Sequence, residues 1–213
     1  MNKRLLLSAA ILSSLLTGCN LDNDDNEQQD YYGTHSGLYT AAYEKDGKAQ
    51  LVRLAINELG ATLVLTSDRE VSTASVGSLV DQSIIFSSQT HCEKSSEGFS
   101  CTIDSLPVDL AINNTRHYTA LNLLAGDYKV IGDAQVINVN LDSQGTFVAQ
   151  YQGCNITGSM TNENTYFSIA ALNNVCTKED TPGVVFINND NLGPASLEVY
   201  LAGNILTGDW IKM

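Results

Sequence analysis

The stretch Asn122-Leu123-Leu124-Ala125-Gly126-Asp127-Tyr128 returns near the end of the chain as Asn204-Ile205-Leu206-Thr207-Gly208-Asp209-Trp210, and a weaker relative, Ser36-Gly37-Leu38-Tyr39, opens the preceding region. These Gly-x-aromatic marks recur at about 85 residues, a spacing that signals repeated structural units. Downstream of the first two marks a seven-residue stretch matches without an internal gap, Leu54-Ala55-Ile56-Asn57-Glu58-Leu59-Gly60 with Val139-Asn140-Leu141-Asp142-Ser143-Gln144-Gly145. The interval from Gly60 to Cys92 equals that from Gly145 to Cys176 to within one residue. The repeated Gly gives backbone freedom and close approach at a strand bend, and the aromatic supplies a large face to bury.

Within each unit no helical period stands out. Short runs rich in Val, Ile, Leu, Thr, Tyr and Phe alternate with Asn, Asp, Ser and Gly, the pattern of strands and turns. The clearest are 37–44, 50–57, 61–67, 82–88, 134–141, 146–151, 165–171, 183–188 and 196–201. Turns are marked by Asp46-Gly47, Leu59-Gly60, Gln144-Gly145 and Pro182-Gly183. Connections this short exclude crossover helices, so the strands pair antiparallel. The expected fold class is all-β: two tandem small antiparallel barrel or sandwich units, spanning 33–124 and 125–213. Closed barrels are preferred because closure removes exposed strand edges.

Before the first unit lie Lys3 and Arg4, then an uncharged apolar run from Leu5 to Leu16, too short to cross a hydrocarbon layer of roughly 30 Å as a helix. It ends in Leu16-Thr17-Gly18-Cys19, which resembles the lipobox of bacterial lipoproteins. That resemblance implies that residues 1–18 are a cleaved signal peptide and that Cys19 carries diacylglycerol and a further acyl chain such as palmitate. Several acyl chains hold a protein on a bilayer durably. Asn20, where Asp would imply retention at the inner membrane, implies a lipid anchor in the outer membrane, facing the periplasm or the cell surface. Residues 19–32 hold Asp22, Asp24, Asp25, Glu27 and Asp30 among Asn and Gln, and read as a disordered, lipidated acidic tether. They lack the Gly and the terminal Glu of a calcium-binding EF-hand loop.

The formal charge is −13, and the signal removes two of the positive residues. Affinity for nucleic acid comes from Lys and Arg neutralising phosphates, so this composition excludes a nucleic-acid partner. With Cys19 committed to lipid, Cys92, Cys101, Cys154 and Cys176 remain. Four cysteines in an exported chain read as two disulfides with three possible connectivities. The repeat gives each half its own pair and selects Cys92–Cys101 and Cys154–Cys176. No Cys-x-x-Cys occurs, and only His91 neighbours a cysteine, so no metal site is expected.

Leu123-Leu124-Ala125-Gly126-x-Tyr128, Asp142-Ser143-Gln144-Gly145, Gly153-Cys154, Gly158, Tyr166-Phe167, Cys176 and Gly183 together resemble a group of small proteobacterial lipoproteins of uncharacterised function. The resemblance covers 118–213 and reaches 33–115 only weakly. Gly153-Cys154-Asn155 is also similar to part of the heat-shock META-type lipoprotein domain, whose remaining pattern is missing here. Both resemblances rest on glycines and cysteines and imply no catalytic residue.

The search for chemistry gives no catalytic residue and no cofactor site. His35, His91 and His117 fall in no Gly-x-Ser-x-Gly, His-Glu-x-x-His or Ser-x-x-Lys pattern. His91 beside Cys92 fits a disulfide better than an activated thiolate. Asp68, Glu70, Asp104, Asp109, Asp127 and Asp209 flank turns and strand ends, where Asp serves local hydrogen bonding. Arg53, Arg69 and Arg116 are scattered. The expected function is a lipid-anchored, non-catalytic binding module with a protein partner, such as an envelope accessory factor or an inhibitor or immunity protein. A lipocalin-like carrier of an apolar ligand is the alternative, and a hydrolase built on paired carboxylates the remote one.

Overall fold

The computed structural model describes residues 23–67, 70–115, 119–131, 136–172, 180–188 and 196–213. Two closed eight-stranded antiparallel barrels follow one another along the chain. The first comprises β1 (Gly37–Lys45), β2 (Lys48–Asn57), β3 (Gly60–Ser67), β4 (Glu70–Val80), β5 (Ser83–Ser87), β6 (Thr90–Lys94), β7 (Gly98–Ile103) and β8 (Leu106–Ile112). The second comprises β9 (Gly126–Ile131), β10 (Ile137–Leu141), β11 (Thr146–Tyr151), β12 (Cys154–Asn162), β13 (Phe167–Ala171), β14 (Thr181–Asn188), β15 (Ser196–Leu201) and β16 (Gly208–Lys212). Each strand pairs with its neighbours in sequence, and β1–β8 and β9–β16 close the two circuits. The expected pair of small antiparallel β units is therefore present, in its closed-barrel form.

Local sequence explains the meander. Asp46 and Gly47 both sit at positive φ between β1 and β2, as do Asp81-Gln82, Asp104-Ser105 and Gln152-Gly153 in later hairpins. Two-residue turns of this hand match the right-handed twist of the strands they join. Pro182-Gly183, expected as a turn, lies inside β14, with Pro182 opposite Ala170 and Gly183 opposite Ile169. Gly183 serves packing there, since a Cβ would stand 2.1 Å from the Tyr200 carbonyl oxygen.

Alternation fills the interiors. Ile137, Val139 and Leu141 point inward on β10 while Asn138 and Asn140 are exposed, and Phe147 and Ala149 continue the inner layer on β11. Phe147, Phe167 and Trp210 are fully buried in the second core, with Ile56, Ile84, Ile103 and Phe99 equally buried in the first. Apolar inside and polar outside is the reverse of a membrane-crossing barrel. No helix among the described residues is long and apolar enough to cross a membrane.

Two expectations at the boundaries are corrected. The acidic segment expected to be disordered through residue 32 forms α1 (Asn23–Thr34). Tyr32 is 2% exposed in the first core and its hydroxyl donates to the Gly77 carbonyl at 3.3 Å, while Tyr31 donates to the Gln82 carbonyl at 3.1 Å. The segment lacks an apolar face of its own, so its order comes from two tyrosines docking on the barrel. The division expected after Leu124 falls earlier, because α2 (Leu121–Leu124) packs Leu121 and Leu124 into the second core.

The three Gly-x-aromatic marks share one geometry. Tyr39 donates to the His35 carbonyl at 3.0 Å, Tyr128 to the Leu124 carbonyl, and Trp210 Nε1 to the Leu206 carbonyl at 2.9 Å. In each case the partner lies four residues back. Gly37 and Gly126 open their barrels, but Gly208 opens the last strand of the second, antiparallel to β9. The motif thus folds a plug, Leu124 or Leu206, under each end of one barrel.

Candidate functional site

The barrels meet through faces that are apolar on both sides of the sheet. Outward-facing Leu38, Ala55 and Val64 of the first barrel cluster with Tyr166, Val184 and Tyr200 of the second. The Arg53 guanidinium lies 4.4 Å from the centre of the Phe186 ring and donates to Glu198 Oε2 at 3.2 Å. The Tyr200 hydroxyl donates to the same Glu198 oxygen at 3.3 Å, and burial pushes that hydroxyl up to about 12. Tyr166 reaches across to donate to the Ile56 carbonyl at 2.8 Å, with burial raising its hydroxyl above the usual tyrosine range.

Beside this junction a cleft of about 510 Å³ opens between the barrels. One wall is Ser36 and Gly37 at the start of β1, a second is Ile112 with Asn113 and Asn114 after β8, and a third is the β12–β13 loop, Glu163 to Tyr166. The loop is held from within. Asn162 Oδ1 accepts the Asn164 N–H at 2.8 Å, with Asn164 at φ +69°, and Glu163 Oε1 accepts the Ser168 hydroxyl at 2.7 Å. Asn113 donates its N–H to the Leu38 carbonyl at 2.7 Å and accepts the Thr115 N–H on Oδ1 at 2.9 Å. Thr165 also borders the cleft, and its hydroxyl is buried with no hydrogen-bond partner among the described residues. A second hollow, of about 750 Å³, lies between α1 and the β4–β5 turn and is lined by Gln28, Tyr31, His35 and Val80.

The residues singled out in the sequence do not converge on either hollow. Cys19, Cys176, His117, Asp68, Arg69 and Arg116 lie outside the described residues. Cys92 and Cys101 face each other across β6 and β7 and form a disulfide, S–S 2.04 Å, within the first core. Cys154 is disulfide-bonded, its expected partner Cys176 lying outside the described residues. His91, beside the bonded Cys92, therefore has no thiol there to activate. His35 stacks edge-on against Tyr31 at 4.6 Å, and burial followed by the charge of Lys94 lowers its pKa.

The carboxylates have local partners. Asp104 pairs with Lys45, Asp109 accepts the Ser100 hydroxyl at 2.8 Å, and Asp127 accepts the Asn140 amide at 2.8 Å. Asp209 lies directly opposite Glu198 across β15 and β16, and burial, then the Glu198 charge, raises its pKa. Arg53 already occupies Glu198, so the pair serves the junction of the barrels. Among the described residues, no three His, Cys, Asp or Glu come together as metal ligands.

Of the cleft residues, Ser36, Gly37, Leu38, Ile56 and Tyr166 fall in the sequence motifs, but Asn113, Asn114, Glu163, Asn164 and Thr165 belong to none, and only the topology brings the end of β8 beside the β12–β13 loop. No protein-family model, no curated protein and no solved structure matches the chain.

Proposed function

We propose that this chain is a lipid-anchored, non-catalytic binding module of the bacterial outer membrane that engages a protein partner at the periplasmic or external face. The observation that carries the reading is that each barrel is filled by its own side chains. Tyr128, Phe147, Phe167 and Trp210 are at most 1% exposed in one, and Ile56, Ile84, Phe99 and Ile103 are fully buried in the other. An interior packed to this degree leaves binding to the outer surface and the cleft, and it leaves a lipocalin-like carrier little space for cargo.

The lipobox at Leu16-Thr17-Gly18-Cys19 supports the anchor, and the acidic surface suits a basic or neutral partner. Only residues 20–22 separate a lipidated Cys19 from α1, which Tyr31 and Tyr32 dock on the first barrel. The anchor then holds the barrels close to the bilayer.

The test has two parts. Acyl labelling and membrane fractionation of wild type and Cys19→Ser should show label and membrane retention only in the wild type. In-cell crosslinking from exposed barrel positions should then trap one defined envelope or secreted protein. A Cys19→Ser protein that stays acylated and membrane-bound refutes the anchor, and an absence of specific crosslinks from every face refutes the protein partner.

A further inference from the structure

We propose that the seam between β1 and β8, at the end of the first barrel remote from α1, receives an extended strand of the protein partner in which apolar and basic residues alternate. The inference rests on the chain having a protein partner and does not need the lipid anchor.

The two barrels close unequally. In the second, β16 and β9 pair from Asp209 with Ile131 through Lys212 with Tyr128. In the first, β1 and β8 pair at Tyr39 with Ile112 and at Thr40 with Ala111, and the ladder ends there although β1 runs on to Lys45 and β8 begins at Leu106. The Asn113 N–H donates to the Leu38 carbonyl, so alternation turns the backbone groups of Leu38, Thr40, Ala42 and Glu44 toward β8. Continued past Ala111, the register would set Asp109 against Ala42 and Pro107 against Glu44. Pro107 has no N–H to give to Glu44, which removes a rung at that point. Its nitrogen faces the seam and not β7, the arrangement in which a strand tolerates proline. Because β1 runs away from α1, Lys45, Asp104 and Leu106 lie at the end opposite Tyr31 and Tyr32.

Side chains on the two lips select the strand. The positions that alternate outward, Ala42 and Glu44 on β1 and Asp109 on β8, are exposed, and they place a carboxylate on each lip. The positions that turn inward are apolar: Ala41 and Tyr43 pack partly buried against the first core, and Leu106 is 38% exposed at the mouth. A strand laid between the lips therefore meets apolar side chains at one set of alternate positions and carboxylates at the other. Main-chain hydrogen bonds hold such a strand, and the alternation of its own side chains specifies it. Lys or Arg at the outward positions complements Glu44 and Asp109.

The lips are joined at their tip by a surface contact. Lys45 pairs with Asp104 across the seam, and both side chains are 39% exposed. Ion pairs this exposed are weak, and a basic strand competes for Asp104.

Amide exchange measured by NMR on the purified full chain tests the seam itself. The N–H groups of Ala42, Glu44 and Asp109 should exchange at least about tenfold faster than those of Thr40 and Ala111. The probe for the strand is the peptide Lys-Val-Lys-Val-Lys-Val. It should bind, slow exchange at Ala42, Glu44 and Asp109, and bind less tightly as salt is added. Three controls should each bind at least about tenfold more weakly: Glu-Val-Glu-Val-Glu-Val, the block peptide Lys-Lys-Lys-Val-Val-Val, and the probe N-methylated throughout. Ala42→Pro removes a seam-facing N–H while leaving β2 its bonds, and should weaken the probe by about tenfold or more. Glu44→Gln combined with Asp109→Asn leaves the backbone untouched, and should weaken the probe and flatten its salt dependence.

Protection of Ala42, Glu44 and Asp109 equal to that of Thr40 overturns the proposal. So does a block or N-methylated peptide that binds as well as the probe, a preference for the acidic peptide, or probe binding without slowed exchange at the seam. A partner crosslinked at another face, with no probe binding at millimolar concentration, leaves the partner reading standing and removes the seam. Probe binding at the seam with no partner trapped from any face does the reverse.

Discussion

The Tyr166 hydroxyl of the second barrel donates to the Ile56 carbonyl of the first at 2.8 Å, from a side chain that is 1% exposed. This bond crosses the junction beside the cleft and fixes the spacing of its walls. In Tyr166→Phe the ring still packs but the buried carbonyl loses that donor. The expected cost is about 1–3 kcal/mol of coupling between the barrels. Urea unfolding followed by tryptophan fluorescence, which reports Trp210 in the second barrel, and by hydrogen exchange in the first should then show less coincident transitions than in the wild type.

Asp209 faces Glu198 across paired strands, and its pKa stands above 3.8 because of burial first and the Glu198 charge second. A raised carboxyl means that the native state holds its proton more tightly than the unfolded chain. Stability therefore falls as pH rises from about 3.8 through the folded value, and is restored below it. Asp209→Asn removes that fall. The variant should have a higher urea midpoint relative to wild type at about pH 7 than at about pH 2.5, well below 3.8, where the carboxyl is protonated in the folded and the unfolded chain. An equal difference at the two pH values would show that the raised pKa contributes nothing to stability.

Tyr32 is the buried hold of α1 on the first barrel. Tyr32→Ala removes a large apolar side chain and a hydrogen bond to the Gly77 carbonyl, at an expected cost of about 3–5 kcal/mol. Because the helix has little apolar surface of its own, most of that loss should appear as local release. Amide exchange should rise across 23–34 while exchange in β9–β16 stays unchanged.

Much of the barrel architecture is legible in the sequence where one face of a strand is wet. Ile137 to Leu141 and Thr146 to Tyr151 alternate cleanly, and the expected runs agree with β10 and β11 at their buried positions. The signal weakens for strands built of small polar residues, such as Cys154 to Asn162, whose strand state is imposed by pairing on both sides. Around Leu54-Ala55-Ile56 and Ala61 to Val64 both faces are buried, one in the barrel and one against its neighbour. Periodicity there reports burial without saying which face lies inside. The cleft was illegible because it joins Asn113 to Asn164 through a contact between barrels that no local pattern encodes.

Gly158 shows what close packing in so small a barrel demands. A Cβ there would lie 2.1 Å from the Ala170 carbonyl oxygen and 2.3 Å from the Phe147 ring, neither of which can withdraw without moving a strand or the core. Gly158→Ala should destabilise the second barrel by about 1–3 kcal/mol, read as a lower urea midpoint of the tryptophan signal. Gly153→Ala, in the same hairpin, meets no atom within 4 Å but sits at φ +83°. It should cost less, about 1 kcal/mol, through backbone strain alone.

The recurrence of Gly-x-aromatic has a mechanical meaning that spacing alone did not reveal. Read as the opening of a unit, the third copy would make Gly208 start a first strand, whereas β16 pairs with β15 and β9 and closes the second barrel. Its geometry accounts for the placement: Trp210 Nε1 donates to the Leu206 carbonyl at 2.9 Å, as Tyr128 does to Leu124, and each bond folds a leucine into a barrel end. Because β9 and β16 run antiparallel side by side, the two copies close opposite ends. Trp210→Phe keeps a ring but frees the Leu206 carbonyl, and should cost about 1–3 kcal/mol. Leu206→Ala removes the plug and should cost about 2–5 kcal/mol. If the bond and the plug are one device, the double variant should lose less than the sum of the two single losses, by urea unfolding monitored with far-ultraviolet circular dichroism. Strict additivity would mean that the aromatic packs in the core without holding the leucine in place.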